Sequence, residues 1–155
     1  MRKKRICMKQ AGILLILTAC MLCLSACGGK KAEITFLGMS DSQVLTIQYQ
    51  AKSRISADEA KIRVFVSSET GAVTGTVYCD SGLKEDLEKG RGYVSLFDMA
   101  ASREWKVQGS VNLNGAKVMS SVQTADILSM FGEDAEVRAA FLIGGETVSE
   151  KTLEK

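Results

Sequence analysis

The chain has 155 residues, no histidine, no proline and five cysteines, and its 20 basic and 18 acidic residues give a net charge of +2. The lack of histidine excludes serine–histidine and cysteine–histidine catalysis, and it excludes imidazole metal sites. Five of the basic residues and none of the acidic ones precede Cys27, so the rest of the chain carries 15 basic and 18 acidic residues. That part is net acidic, which argues against a nucleic-acid-binding domain, because such a domain needs a basic surface.

The first 26 residues have the parts of a secretory signal peptide. A basic start is followed by an apolar run from Ala11 to Leu24 and by small residues. The ending Leu24-Ser25-Ala26-Cys27 resembles the lipobox of bacterial lipoproteins. The resemblance covers only this leader. It implies that signal peptidase II recognises Leu24, Ser25 and Ala26 and cuts before Cys27, and that the Cys27 sulfur carries a diacylglyceryl group.

The leader therefore predicts three parts of the chain. Residues 1–26 are the lipoprotein signal peptide, residues 27–32 are the lipidated cysteine with a short tether, and residues 33–155 are one domain. Two acyl chains give stable anchoring, so we expect the domain on the extracytoplasmic face of the cell membrane. The alternative is an uncleaved anchor, but the apolar run is shorter than the ~20 residues that span a bilayer comfortably.

Period-two alternation of apolar and polar residues dominates the rest of the chain and predicts β-strands. Asn114-Gly115 and Gly144-Gly145 each separate two strand-like runs, which predicts two hairpins. Segments 81–89 and 124–131 each have helical features and a following glycine, and they are predicted as short helices. The predicted strands lie within residues 34–36, 45–50, 62–66, 73–79, 93–97, 105–113, 116–122, 136–143 and 146–153.

Many short strands with frequent turns are typical of a β-sandwich. The pattern resembles an immunoglobulin-like or fibronectin type III-like sandwich, since Leu87 to Leu96 is similar to the loop-then-strand entry of such domains and the final hairpin resembles their last strand pair. The antibody-type Cys…Trp…Cys pattern is absent, because Trp105 has no disulfide to pack on. The predicted fold is all-β, a single β-sandwich, with a small β-barrel as the alternative.

Three patterns in the domain suggest chemistry. Ser81-x-x-Lys84 with Ser110-x-Asn112 resembles penicillin-binding proteins and β-lactamases, but Lys151-Thr-Leu departs from their third motif and the chain is about half the length of those folds. Glu133, Asp134 and Glu136 offer carboxylates for calcium, although a solvated charged loop is the favoured interpretation. Cys79 lies in a strand-like run, and a buried structural thiol is the expected role.

Phe65 and Tyr78 face away from the apolar stripes of their strands. If those strands are neighbours, the two rings form an exposed patch, which is a possible binding surface. We therefore expect a non-enzymatic binding or accessory domain that serves a membrane-proximal protein or a cell-wall component, with no cofactor and no metal. The alternative is a small carboxylate- or Ser/Lys-dependent enzyme, or a calcium-dependent binding module.

Overall fold

A computed structural model describes residues 31–98, 103–112, 121–124 and 127–154. These residues form nine strands and one short 3₁₀ turn, Leu128–Met130. The leader with Cys27 and the Asn114-Gly115 turn lie outside the described residues. The strands are β1 (Ala32–Met39), β2 (Val44–Ala51), β3 (Ala60–Ser68), β4 (Thr74–Gly82), β5 (Gly90–Asp98), β6 (Arg103–Asn112), β7 (Ser121–Thr124), β8 (Glu136–Ile143) and β9 (Glu146–Thr152).

Two antiparallel sheets make up the domain. One has the strand order β1-β2-β5, and the other has the order β7-β6-β4-β3-β8-β9. The pairing β1-β2-β5 corresponds to strands A-B-E of immunoglobulin-like sandwiches, and the pairing β3-β8-β9 corresponds to strands C-F-G. The difference is in β4, because the strand that follows C in the seven-strand form pairs with E, whereas β4 pairs with β3 and not with β5. The two sheets remain separate across the described residues, which confirms the predicted all-β sandwich over the alternative closed barrel.

The hydrophobic core lies between the sheets and follows the alternation seen in the sequence. In β2 the side chains alternate strictly, with Leu45, Ile47 and Tyr49 buried and the residues between them partly exposed. Trp105 of β6 and Phe141 of β8 are fully buried in the same core. Because a strand's side chains alternate between faces, each sheet buries one face and presents the other outward.

A β-bulge interrupts the alternation of β1. Ile34 pairs with Tyr49 but Phe36 pairs with Gln48, so Thr35 is an extra residue between two consecutive pairs. A strictly alternating strand would put Phe36 on the same face as Ile34. The bulge instead leaves Ile34 and Leu37 in the core and turns the Phe36 side chain outward, where it is 52% exposed.

Neither predicted helix forms. β4 continues to Gly82, and the connection that follows is fixed by a bridge in which Ile55 and Leu87 exchange two backbone hydrogen bonds of 2.9 Å. Thr124 ends β7 and pairs with Arg103, and the described residues 127–131 of the second segment contain one 3₁₀ turn and no α-helix. Both segments are short, and tertiary hydrogen bonds override weak helical propensity there. Within the described ranges, no helix is long and apolar enough to cross a membrane.

The C-terminal hairpin forms as predicted. β8 and β9 pair antiparallel and are joined by Gly144 and Gly145, with φ angles of 60° and 89°. Positive φ at both turn positions matches the twist of the flanking strands, and glycine adopts it without steric cost.

A side-chain hydrogen bond joins the two sheets at one side of the sandwich. The Ile34 amide, at the start of the β1 bulge, donates to the Ser149 hydroxyl of β9 at 3.0 Å in a buried position. The serine thus supplies a partner for a strand-edge amide, and a buried amide without one is costly.

Candidate functional site

Two exposed aromatic side chains lie on the outer face of the three-stranded sheet. Phe36 of β1 pairs with Gln48 of β2, and Gln48 pairs with Tyr93 of β5, so the three side chains form one row across the sheet. Phe36 is 52% exposed and Tyr93 is 70% exposed. We call these three residues the aromatic row. Strands lie about 4.8 Å apart, which separates the two aromatic residues by about 10 Å.

Hydrogen bonds hold the row in place. The Gln48 side-chain amide nitrogen donates to the Tyr93 hydroxyl at 2.9 Å, and the Thr35 hydroxyl donates to the Gln48 Oε1 at 3.2 Å. Thr35 is the extra residue of the bulge, so the same irregularity exposes Phe36 and orients Gln48. Phe36 has a different support, since the end of its ring occupies the space above Gly38 where a Cβ would collide with it.

An uncharged row of side chains lies on one side of the aromatic row, and a row with one acidic and one basic side chain lies on the other side. The next row toward the far end of β1 contains Gly38, Thr46 and Ser95. Charges occur in the row nearest the start of β1, where Glu33 and Arg91 flank Gln50. The outer face of the six-stranded sheet differs sharply, because it carries the charged side chains Lys61, Arg63, Asp80, Glu104, Lys106, Arg138 and Glu150.

A cleft adjoins the aromatic row at Tyr93. It has a volume of about 420 Å³ and lies between β5 and the connection from Ser81 to Glu88. This volume is at the lower end of the range for small-molecule sites. One of its carboxylates is already bonded, since Asp86 accepts from Arg54 and from the Ala57 amide, each at 2.9 Å. The cleft and the row share Tyr93, so one extended ligand can contact both.

Phe65 and Tyr78 are cross-strand neighbours on β3 and β4, with ring centroids 6.1 Å apart. They do not form an open patch, because Phe65 is only 9% exposed. The Arg138 guanidinium lies 4.4 Å from the Phe65 ring centroid, and the Arg63 guanidinium lies 4.4 Å from the Tyr78 ring centroid. Arginines of the same face thus cover the aromatic surface through cation–π contacts, which corrects the expected exposure.

Carboxylates in turn hold these arginines. Arg63 donates two hydrogen bonds to Asp80, of 2.6 and 2.9 Å, and Arg138 pairs with Glu150. The Arg63 guanidinium lowers the pKa of Asp80 below its usual value, mainly by hydrogen bonding. The binding role predicted for Phe65 and Tyr78 would require a ligand to displace this ordered layer of ion pairs.

Asp134 joins two loops. Its carboxylate accepts hydrogen bonds from the Ser68 hydroxyl, from the Thr70 hydroxyl at 2.5 Å and from the Glu69 amide at 2.8 Å. The Gly132 amide also donates to the Thr70 carbonyl at 3.0 Å. These donors, the Ser68 and Thr70 hydroxyls first, hold the pKa of Asp134 far below its usual range. The carboxylate thus ties the β3–β4 turn to the loop before β8.

The calcium hypothesis finds no converging ligand set in this loop. Among the residues that the structure describes, no group of three or more acidic or thiol side chains is arranged to hold a metal ion. Asp134 is one of the predicted ligands, and its carboxylate oxygens accept hydrogen bonds from protein donors. Glu133 and Glu136 flank it without forming a metal-binding cluster with it.

Ser81 and Lys84 both line the cleft beside Tyr93, but the Ser110-x-Asn112 motif is not brought to them. Ser81 lies at one end of β4, and its hydroxyl donates to the Gly82 carbonyl at 3.2 Å. Asn112 pairs with Thr74 at the other end of β4. Seven strand residues separate Thr74 from Ser81, which corresponds to about 23 Å. Ser110 and Asn112 are therefore far from Ser81, so the two motifs share no site.

Cys79 has the expected structural position. It pairs across the strands with Val64, is 8% exposed and contacts the main core. Burial raises the pKa of its thiol, which keeps the sulfur protonated and unreactive.

No protein-family model significantly matches the chain, and no characterised protein or solved structure does so. The candidate site therefore depends on its own geometry. Sequence analysis did not identify the aromatic row. The uncharged alternation Thr46, Gln48 and Gln50 along β2 was a usable signal for a neutral outer face, but the bulge that exposes Phe36 leaves no sequence signature.

Proposed function

We propose that this chain is a lipid-anchored extracytoplasmic protein whose sandwich is a non-enzymatic binding or accessory domain for a membrane-proximal protein or cell-envelope component. The leader and its ending Leu24-Ser25-Ala26-Cys27 support the anchoring. The observation that supports binding is the aromatic row, where two large apolar side chains are exposed on an ordered sheet face. Two outward-facing aromatic rings on one sheet face offer surfaces on which a ligand can stack.

The start of β1 supports a location close to the lipid. β1 begins at Ala32, so only Gly28 to Lys31 separate the proposed lipidated residue from the first strand. Four residues span at most about 14 Å. A binding face on this sheet would therefore act on material close to the membrane surface.

The anchoring is tested by replacing the acceptor sulfur with a hydroxyl. In Cys27→Ser we expect neither lipid attachment nor signal peptidase II cleavage, because the diacylglyceryl group has no thiol to bond. Mass spectrometry of the membrane fraction measures both events. Cys23→Ser is the matched control in the same leader, and it is expected to be processed and lipidated normally. A wild-type mature protein without lipid on Cys27 would overturn the anchoring.

A further inference from the structure

We infer that the aromatic row of Phe36, Gln48 and Tyr93 binds an uncharged glycan chain lying across the three strands. The inference builds on the proposed binding function and specifies the chemistry of its ligand. It depends on three properties: exposed rings at both ends of the row, a polar amide between them, and no charged side chain in the row itself or in the neighbouring row of Gly38, Thr46 and Ser95.

The rings provide the stacking part of such a site. An aromatic ring has a negative face, which attracts the weakly positive C–H groups on the flat side of a sugar ring. Tyr93 is 70% exposed and is held by Gln48, so its orientation is fixed before a ligand arrives. An ordered side chain loses less conformational entropy on binding, which favours affinity.

The polar groups between the rings match hydroxyl-rich ligands. Gln48 supplies both a donor and an acceptor in its side-chain amide, and Thr35, Thr46 and Ser95 supply hydroxyls on the same face. The two central rows carry no charge among the side chains described. Charge complementarity therefore favours a neutral ligand over a phosphate-bearing, sulfated or nucleic-acid ligand.

A protein partner fits this surface less well. The core of a protein–protein interface is contiguous apolar surface from which water is excluded. Here Gln48 separates the two rings, and the neighbouring row consists of Gly38, Thr46 and Ser95 rather than aliphatic residues. The exposed apolar area thus consists of two separate aromatic rings, each of which can stack on one sugar ring of a chain.

The spacing of the row sets a minimum ligand length. The two aromatic residues stand about 10 Å apart across two strand spacings, which exceeds the width of one pyranose ring. A monosaccharide contacts one ring only, whereas a chain contacts both and continues toward the cleft beside Tyr93. Affinity is therefore expected to rise from monosaccharide to oligosaccharide.

The test uses the full, lipidated protein reconstituted into phosphatidylcholine vesicles. Binding of fluorescent N-acetylglucosamine oligomers, glucose oligomers and heparin is measured, and flotation of the same vesicles reports anchoring. We expect at least one neutral oligomer to bind and heparin not to bind. The two neutral probes distinguish an acetamido-bearing glycan from a plain one. Loss of one stacked ring in Phe36→Ala or Tyr93→Ala is expected to weaken binding about tenfold.

Two control variants separate ring stacking from general damage. Tyr93→Phe keeps the ring and loses only the hydroxyl bonded to Gln48, so it is expected to weaken binding less than Tyr93→Ala does. Tyr78→Ala removes an aromatic ring from the opposite outer face and is expected to leave binding unchanged. Circular dichroism of each variant checks that the sheet is intact.

The possible outcomes separate the inference from the proposed function. Vesicles that float with the protein but bind no neutral oligomer overturn the glycan inference and leave anchoring intact. Equal binding by wild type and Tyr93→Ala also overturns it. A photo-crosslinker at position 91, in the row beside the aromatic row, that captures a membrane protein and no glycan keeps the binding function but assigns this face to a protein. Failure to float overturns the anchoring alone.

Discussion

At the scale of single residues, one carboxylate of the loop that was considered for calcium instead accepts several hydrogen bonds from the protein. Asp134 accepts bonds from Ser68, Glu69 and Thr70, and its pKa is lowered by them. A carboxyl group whose pKa is lower in the folded than in the unfolded state stabilises the fold above its unfolded pKa. That stabilisation is lost as the pH falls from about 4, the unfolded value for aspartate, through the folded pKa.

Asp134→Asn is therefore expected to lower the melting temperature at pH 7, because a neutral amide accepts these hydrogen bonds more weakly than a carboxylate does. The difference from wild type should shrink as the pH is lowered below about 4, because Asp134 then binds a proton in the unfolded chain while the folded carboxylate is still ionised. Thermal unfolding between pH 7 and pH 2 measures this. Glu146→Gln, at the exposed start of β9, removes a carboxylate outside this loop and is the matched control.

Residue contacts were predictable only where they follow from strand adjacency. The approach of Phe65 to Tyr78 followed from adjacent strands, and the burial of Cys79 followed from its apolar surroundings. The arginines that cover the two rings could not be predicted, because Arg138 reaches Phe65 only through the β3–β8 register. That register is set by nonlocal pairing and not by neighbouring sequence.

At the scale of elements, strands and turns were predictable because their signals are local. Alternation in β2 and the Gly144-Gly145 turn each specify a structure within a few residues. Segment 81–89 was wrongly predicted as a helix. Its conformation depends on backbone hydrogen bonds between Leu87 and Ile55, which are far apart in the sequence. The aromatic row was missed for a related reason, since it depends on one extra residue in β1 and on two strand pairings.

The contact between the two sheets at β1 and β9 is an element-scale feature that a mutation can test. Ser149→Ala leaves the buried Ile34 amide without a partner, which is expected to cost about 1–3 kcal/mol in the free energy of unfolding. Urea denaturation measures the change. Thr147→Ala removes a hydroxyl from an exposed position of the same strand and is expected to change it by less than about 0.5 kcal/mol. Equal losses in both variants would contradict a specific role for the Ser149 bond.

At the scale of the whole molecule, the sandwich presents two unlike outer faces. The face of the six-stranded sheet is covered by ion pairs such as Arg63–Asp80, whereas the face of the three-stranded sheet is neutral around Gln48. The neutral face belongs to the sheet that contains β1, the strand closest in sequence to Cys27. The proposed binding face and the proposed anchor are thus joined by one short stretch of chain.

A longer tether is expected to weaken capture of membrane-proximal material. Flexible glycine–serine spacers of increasing length are inserted after Lys31, and crosslinking from position 91 is measured in intact cells. The yield should fall with length, because effective concentration decreases roughly as the −3/2 power of tether length. The same spacers added after Lys155 lengthen the protein without lengthening the tether and should have no effect. Constant yield with every spacer after Lys31 would show that membrane proximity is not required.

The bulged first strand also has a mechanical consequence. Phe36 lies only four residues beyond Ala32, so tension between a ligand on the aromatic row and the lipid would enter the protein through β1. Under such a pull, the line of force runs along β1, and the hydrogen bonds to β2 lie across it. They would be loaded together in shear rather than opened one after another.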